Sequence, residues 1–213
     1  RSLSKAKKKL FITNISPVES SQFTGDFLFK MFSYFKNGIK DVTQEKIIDI
    51  NTLVRTIKNN PKVSKIKTIR EMRANGKDYD RLKKSLPNIT PAGIFSMREN
   101  KSFQQSSGYV YFDIDNIANN IDEEKQSLID KYGHLISMVC ISCSGKGLSI
   151  LVKPEGVELN KDNYSEVRKY IAEEYFSELI FDELTKDVTR AWFISYDQDV
   201  YYTPEAFIEI RKS

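Results

Sequence analysis

Two aspartates stand two positions apart at the end of an otherwise apolar run, Tyr109-Val-Tyr-Phe-Asp-Ile-Asp115. On a strand, residues i and i+2 project from the same face with Cα atoms about 6.6 Å apart, so two carboxylates there can share hard divalent cations. On a buried face such a pair repels unless cations compensate it; at a frayed strand end it would simply stand in water. Further along lies the tight turn Ser144-Gly145-Lys146-Gly147. It is not a P-loop, because GxxxxGK[ST] is absent and Leu148 to Val152 lead into another strand rather than a helix. The backbone N–H groups, the Ser144 hydroxyl and the Lys146 ammonium of such a hairpin can nevertheless hold a phosphate, a plain turn being the alternative. A third group spans Asp182 to Arg190. Asp182 can complete a carboxylate trio, and Arg190 can meet a triphosphate as a bidentate donor. Together these parts suit two-metal phosphoryl transfer, in which cations align a 3′-hydroxyl with an α-phosphate while basic groups neutralise the leaving pyrophosphate.

The elements that must position these residues follow from periodicity and punctuation. Residues 109–115 read as a strand, 122–132 as a helix ended by Gly133, and 135–142 and 148–153 as strands on either side of the turn. Residues 161–179 form a long helix with Tyr164, Val167, Ile171 and Tyr175 on one side, and 190–196 a last strand. The order β-α-β-β-α-β is that of a ferredoxin-like or RRM-like sheet. In the first half, 44–60 reads as a helix with Thr43 as N-cap and Pro61 as stop, and 64–74 as a second one ended by Asn75-Gly76. A third runs over 78–86 into Pro87; 9–15 is a possible strand, 25–35 an apolar buried stretch, and 87–107 turn-rich. The expected class is therefore α+β: a basic, mainly helical N-terminal module over 1–105 and an RRM-like catalytic module over 106–213, together one domain.

Charge is distributed unevenly between those halves. Residues 1–105 hold 22 Lys and Arg against 9 Asp and Glu, and residues 106–213 hold 11 against 20. Between Lys58 and Lys84 ten basic residues face three acidic ones. Lys65, Lys67, Arg70, Arg73, Lys83 and Lys84 are the candidate nucleic-acid contacts in that stretch, a solvated helical face being the plainer alternative.

Several function classes drop out. The single histidine, His134, excludes two-histidine metal and nickase centres within this chain. Cys140 and Cys143 lie three apart in an apolar run with strand character, so they point to opposite faces and read as buried thiols rather than a redox pair or half a zinc site. With 40% hydrophobic and 12% aromatic residues in 213, the chain can build a core. It has no apolar run near the roughly 18 residues of a membrane span and no signal-peptide pattern, so the expectation is a cytoplasmic protein without membrane contact.

The YVYFDID run, the Ser142-Cys-Ser-Gly-Lys-Gly147 turn, and Asp182 with Arg190 eight positions later resemble the three motifs of the archaeo-eukaryotic primase superfamily, the Prim-Pol fold. They resemble in particular the primase-like N-terminal domain of bacterial VirE-type proteins. Leu82 to Phe95 and Arg190 to Asp197 are also similar, so the likeness covers about residues 82–202. The resemblance implies a DNA primase-polymerase that joins NTPs or dNTPs on a single-stranded DNA template, with a helicase fused or associated. It implies Asp113, Asp115 and Asp182 as catalytic ligands of Mg²⁺ or Mn²⁺, with Asp187 a rival third acid. Ser144, Gly145, Lys146, Gly147 and Arg190 would face the nucleotide's phosphates. The superfamily commonly carries a histidine two positions after the second glycine; here Ser149 takes that nucleotide-facing place. Other readings stay open: a Prim-Pol-fold module that binds nucleic acid without turnover, a small-molecule-binding ferredoxin-like domain, and a metal-dependent nuclease that shares the carboxylates.

Overall fold

A computed structural model describes residues 30–210; the strand expected over 9–15 lies outside them. Among the described residues, twelve strands and five helices follow one another in an α+β arrangement. The first half contributes β1 (Met31–Phe35), β2 (Lys46–Asp49), α1 (Ile50–Lys58), α2 (Val63–Ala74), α3 (Asp80–Lys83), β3 (Asn88–Thr90), β4 (Gly93–Phe95) and β5 (Phe103–Ser106). The second contributes β6 (Val110–Ile114), α4 (Ile121–Tyr132), β7 (Met138–Ile141), β8 (Leu148–Val152), β9 (Pro154–Glu155), α5 (Tyr164–Tyr175), β10 (Trp192–Phe193), β11 (Tyr201–Tyr202) and β12 (Ile208–Glu209). A 3-10 turn, Glu183–Lys186, follows α5.

Two four-stranded sheets carry the architecture, in the orders β10-β3-β1-β2 and β11-β7-β8-β6. Strands β6, β7 and β8 are antiparallel neighbours, with Asp113 opposite Ser149 and Cys140 opposite Ser149. Alternation sends their side chains into two different cores. Val110, Phe112, Val139, Ile141, Leu148, Ile150 and Val152 pack with Leu128 and Tyr132 of α4 and Tyr164, Val167 and Ile171 of α5. Tyr109, Tyr111, Met138, Cys140 and Leu151 pack instead with Phe32, Ile48, Leu53, Ile57, Ile89 and Trp192 from the other sheet and α1. This sheet is therefore a middle layer, buried on both faces, which is why its strands read as near-continuous apolar runs.

The expected β-α-β-β-α order is present over 110–175, but the last element is not where the sequence reading put it. Only Trp192–Phe193 of residues 190–196 is strand, and it pairs with β3 in the first sheet. The edge of β6 is met instead by the segment after α5, where the Asp182 N–H donates to the Asp113 carbonyl at 2.8 Å. Trp192 is drawn to the first sheet because its ring is buried between the layers, stacked on Tyr111 at 5.2 Å.

The first half is less helical than expected. Residues 46–49 are strand β2, registered against β1, and the helix starts only at Ile50. Asp49, not Thr43, is the N-cap: its carboxylate accepts from the Thr52 N–H at 2.7 Å and from the Thr52 hydroxyl at 3.1 Å. Ile47 and Ile48 are β-branched, and Ile48 turns into the core while Ile47 faces out, the alternation of a half-buried strand. The third helix shrinks to Asp80–Lys83, and the turn-rich 87–107 holds three strands of three or four residues, too short for period 2 to register. The second helix and its stop at Asn75-Gly76 stand as expected, Gly76 having a φ of 65°. Strand β5 ends at Ser106, across the 105/106 boundary of the two expected modules, and pairs back to β4.

A buried ion pair ties these layers together. Lys125 of α4 donates to the Asp197 carboxylate and to the Asp199 carbonyl, both at 2.7 Å. The same carboxylate accepts from the Ile141 N–H of β7 at 2.9 Å, and the Asp197 N–H donates to the Ile57 carbonyl of α1. Both side chains are nearly solvent-free, at 7% and 4% exposure. Among the described residues no helix is long and apolar enough to cross a membrane. Removing one partner of a buried pair strands the other charge, so Asp197→Ala should lower unfolding free energy by about 3–5 kcal/mol in denaturant titrations. Lys131→Ala, which opens the exposed bridge to Glu178 and an exposed contact with the Tyr132 ring, should cost about 1 kcal/mol or less.

Candidate metal centre and anion cavity

Asp113 and Asp115 leave β6 on the face that looks toward the first sheet, and the turn at Asp182 brings a third acid beside them. Their carboxylate oxygens lie within 4.8 Å of one another. Each side chain is held by a different device. Asp113 accepts from the Ser149 hydroxyl, its cross-strand partner, at 3.0 Å. Asp182 caps the 3-10 turn by accepting from the Leu184 N–H at 2.9 Å, and its other oxygen accepts from Arg190 at 2.8 Å. Asp115 is exposed at the mouth. Asp187, the rival third acid, is turned away: its carboxylate accepts from the N–H and hydroxyl of Thr189, each at 2.9 Å.

Position at the end of a two-faced sheet governs the electrostatics. Burial, and then the adjacent charge of Asp115, push the Asp113 carboxyl up to about 7; the Ser149 hydroxyl, Lys83 and Arg190 pull the other way. Tyr111, two residues before Asp113 on the same face, is fully buried and its phenol is raised well above its usual range, chiefly by desolvation. It shares the Ser149 hydroxyl at 3.3 Å.

A cavity of about 320 Å³ opens beside Asp113, between the two sheets. Tyr111, Ser149 and Trp192 line it on one side, and Lys83, Lys84 and Arg190 bring positive charge to it. A second cavity, of about 520 Å³, lies on the other side of the Ser142–Ser144 turn and holds Ser144, Gly145 and Lys146 with Arg70, Arg73 and Asn116. The Ser142 and Ser144 hydroxyls, 3.0 Å apart, form the ridge between them. Gly147 approaches the acids so closely that a Cβ there would lie 2.6 Å from the Ile114 carbonyl oxygen and 3.3 Å from an Asp115 carboxylate oxygen. Gly145 adopts a φ of +73° against the Arg70 side chain, a turn that favours glycine.

The basic candidates of the first half separate into three situations. Ile66 and Ile69 of α2 pack on Cys143, which brings that helix onto the turn. From it Arg70 donates to the Ser142 carbonyl at 3.2 Å and the Tyr196 carbonyl at 2.7 Å, so its guanidinium is a clamp between segments and not a free nucleic-acid contact. Arg73 reaches the Asn116 side chain at 2.7 Å, and Asn116 takes a φ of 57° to meet it. Lys65 donates to Ser85 at 3.1 Å and Lys67 is exposed, both outside the two cavities, whereas Lys83 and Lys84 face the carboxylates' cavity. Tyr111 was not singled out as a wall residue, although it sits two positions before Asp113, which on a strand means the same face.

The thiols behave as expected of buried cysteines. Cys140 and Cys143 are free, belong to different cores, and are raised by burial, Cys143 to about 11. His134 is exposed just after α4.

A family model described as BT4734-like, N-terminal domain, matches residues 81–202, more than half of the chain, and the chain belongs to that family. The matched span holds all three acids, both sides of the turn, and Arg190. No curated protein and no solved structure matches the chain.

Because Asp113 has a folded-state value near 7 and an unfolded one of about 3.9, its contribution to stability is complete below about pH 4 and is lost as pH rises through about 7. In chelator-containing buffer, wild type should therefore lose stability relative to Asp113→Asn across that window, by up to about 1.4 kcal/mol per pH unit. Denaturant titrations at a series of pH values measure it. Ser149→Ala removes a bond that favours the carboxylate and should extend the loss to higher pH.

Proposed function

We propose that this member of the BT4734-like N-terminal domain family is a metal-dependent nucleotidyltransferase of the primase-polymerase type, joining nucleotides on single-stranded DNA. The observation that carries the reading is the convergence of three carboxylates, from β6 and from the turn after α5, beside a cavity that also holds Arg190. The resemblance of the same residues to the primase motifs supplies the reaction class.

The donor set suits Mg²⁺ or Mn²⁺: hard oxygens only, three carboxylates within 4.8 Å, and one of them, Asp113, raised by burial and by its neighbour's charge. Asp113, Asp115 and Asp182 would hold the cations, which when bound supply Lewis-acid polarisation of the α-phosphate and activation of the 3′-hydroxyl. The protein's own groups do the rest. The Ser149 hydroxyl fixes the orientation of the Asp113 carboxylate. Arg190, anchored on Asp182, offers its remaining N–H donors to the phosphates and offsets the charge that develops on the leaving pyrophosphate. Lys146 and the Ser144 hydroxyl would approach the anionic ligand from the neighbouring cavity. The exposed ammonium of Lys67 and the rest of α2's basic face would run along the template backbone.

One observation favours a second reading, a module that binds nucleic acid and nucleotide without turnover. Ser149 is 1% exposed and its hydroxyl is shared between Asp113 and Tyr111, so the position that holds an imidazole in the primase superfamily is committed to a carboxylate here. Incorporation of labelled NTPs and dNTPs on single-stranded DNA with Mg²⁺ or Mn²⁺ distinguishes the two. The expected outcome is metal-dependent product that falls at least about 100-fold in Asp113→Ala/Asp115→Ala, since even partners of metal ligands are worth 10–100-fold. Product that survives the double change would overturn the assignment of the acids. Tight, salt-sensitive DNA binding with no product from wild type would establish the binding module instead.

A further inference from the structure

Helix α3 and its C-cap carry three cations, Arg81, Lys83 and Lys84, of which two are accounted for without a ligand. Arg81 is exposed and away from both cavities. Lys84 is ion-paired with Asp80 at 2.5 Å, one helical turn back. Lys83 differs from both. It is half-buried, it has no ion pair within 4.0 Å among the described residues, and its ammonium lies 5.8 Å from the centre of the Phe193 ring, at the wall of the cavity that also holds Asp113 and Arg190.

We propose that Lys83 is a ligand of the nucleotide's polyphosphate, closing on it from α3 across the cavity from Arg190, rather than a contact to the template strand. This rests on the nucleotidyltransferase reading of the site and adds to it a residue that lies outside the three motifs. Three features of the cavity carry the inference. The first is charge: Lys83 and Arg190 reach the cavity from two different segments, and both act on the Asp113 carboxyl as nearby positive charges. Asp80 also lines the cavity but is paired with Lys84, so once divalent cations compensate the three acids, Lys83 and Arg190 are the positive charges left over, which a chain of phosphates would neutralise.

The second feature is the floor of the cavity. Trp192 is 3% exposed, lines the cavity, and its indole N–H has no hydrogen-bond partner among the described residues. A buried donor without a partner costs free energy that an incoming acceptor repays. The third is access. A cavity of about 320 Å³ held between two sheets suits a compact anion. A continuous nucleic-acid backbone is better matched by outward-facing residues such as Lys67.

The test uses the purified full chain with Lys83→Ala, Lys83→Arg and, as a control of equal charge change on the same helix, Arg81→Ala. Isothermal titration with the Mg²⁺ complex of inorganic tripolyphosphate reads the anion site without any turnover, and fluorescence anisotropy with labelled single-stranded DNA reads the template surface. Lys83→Ala should weaken tripolyphosphate binding by about 10- to 100-fold, the range for a hydrogen bond to a charged group. Lys83→Arg should restore most of the loss, Arg81→Ala should change it less than about 3-fold, and none of the three should alter single-stranded DNA affinity by more than that. Tripolyphosphate binding that is absent in wild type or unchanged in Lys83→Ala overturns the proposal, as does a loss confined to DNA binding. Binding that depends on Lys83 in a protein that incorporates no nucleotide would uphold it while removing the catalytic reading. Unchanged circular dichroism and thermal midpoints across the set confirm that the variants fold.

Discussion

Everything about the candidate site follows from one constraint: the sheet that carries Asp113 is buried on both faces. Helices α4 and α5 cover one side and the first sheet covers the other, so any side chain leaving β6 enters a core. Phe112 does so at no cost. Asp113 does so as a carboxylate, and its raised proton affinity is the direct expression of that position. The cost of desolvating an acid is relieved by protonation, by a hydrogen bond or by a cation, and that is the physical ground on which the proposed cation binding rests. Ser149 is the local concession: a single hydroxyl in an otherwise apolar β8, placed opposite the acid that needs it.

The remaining polar contacts fix how the layers meet around that strand end. Asp197 binds α4 and β7 through its carboxylate and α1 through its backbone N–H, and Arg70 joins α2 to the Ser142 turn and to Tyr196. Both are charges placed where they have several fixed partners and little water, so they specify geometry more than they add stability. Arg70 thereby leaves the population of mobile surface cations, and Arg73, one turn on, is held by Asn116 and Tyr79. The apparent basic stripe of the first half is in this way divided into clamps, cavity residues and outward-facing charges, which have different consequences for anions.

Much of the second half was legible in the sequence because its signals are local. The alternation of residues 109–115, the Gly-flanked turn and the Tyr164, Val167, Ile171 face of α5 each depend on neighbours within one element, and the structure keeps all three. The first half misled where local signals conflict. Residues 46–49 satisfy helical spacing and β-propensity equally well, and only the presence of β1 as a hydrogen-bonding partner decides for strand. Strands β3, β4 and β5 are too short to announce themselves and exist through their pairing.

The sequence by itself determined which residues could do chemistry and in what order they come: two acids on one strand face, a Gly-flanked turn with a serine and a lysine, then an acid with an arginine eight positions on. Only the tertiary structure decided who meets whom. It chose Asp182 over Asp187, because the first lies along the free edge of β6 and the second is spent on its own Thr189. It sent Trp192 to the opposite sheet, and it put Lys83 with Arg190 while parting Lys146 from them. The reason is range: periodicity and capping act over a few residues, whereas these choices are made by the burial of side chains more than a hundred positions apart, such as Ile57 with Ile194, which no local pattern encodes.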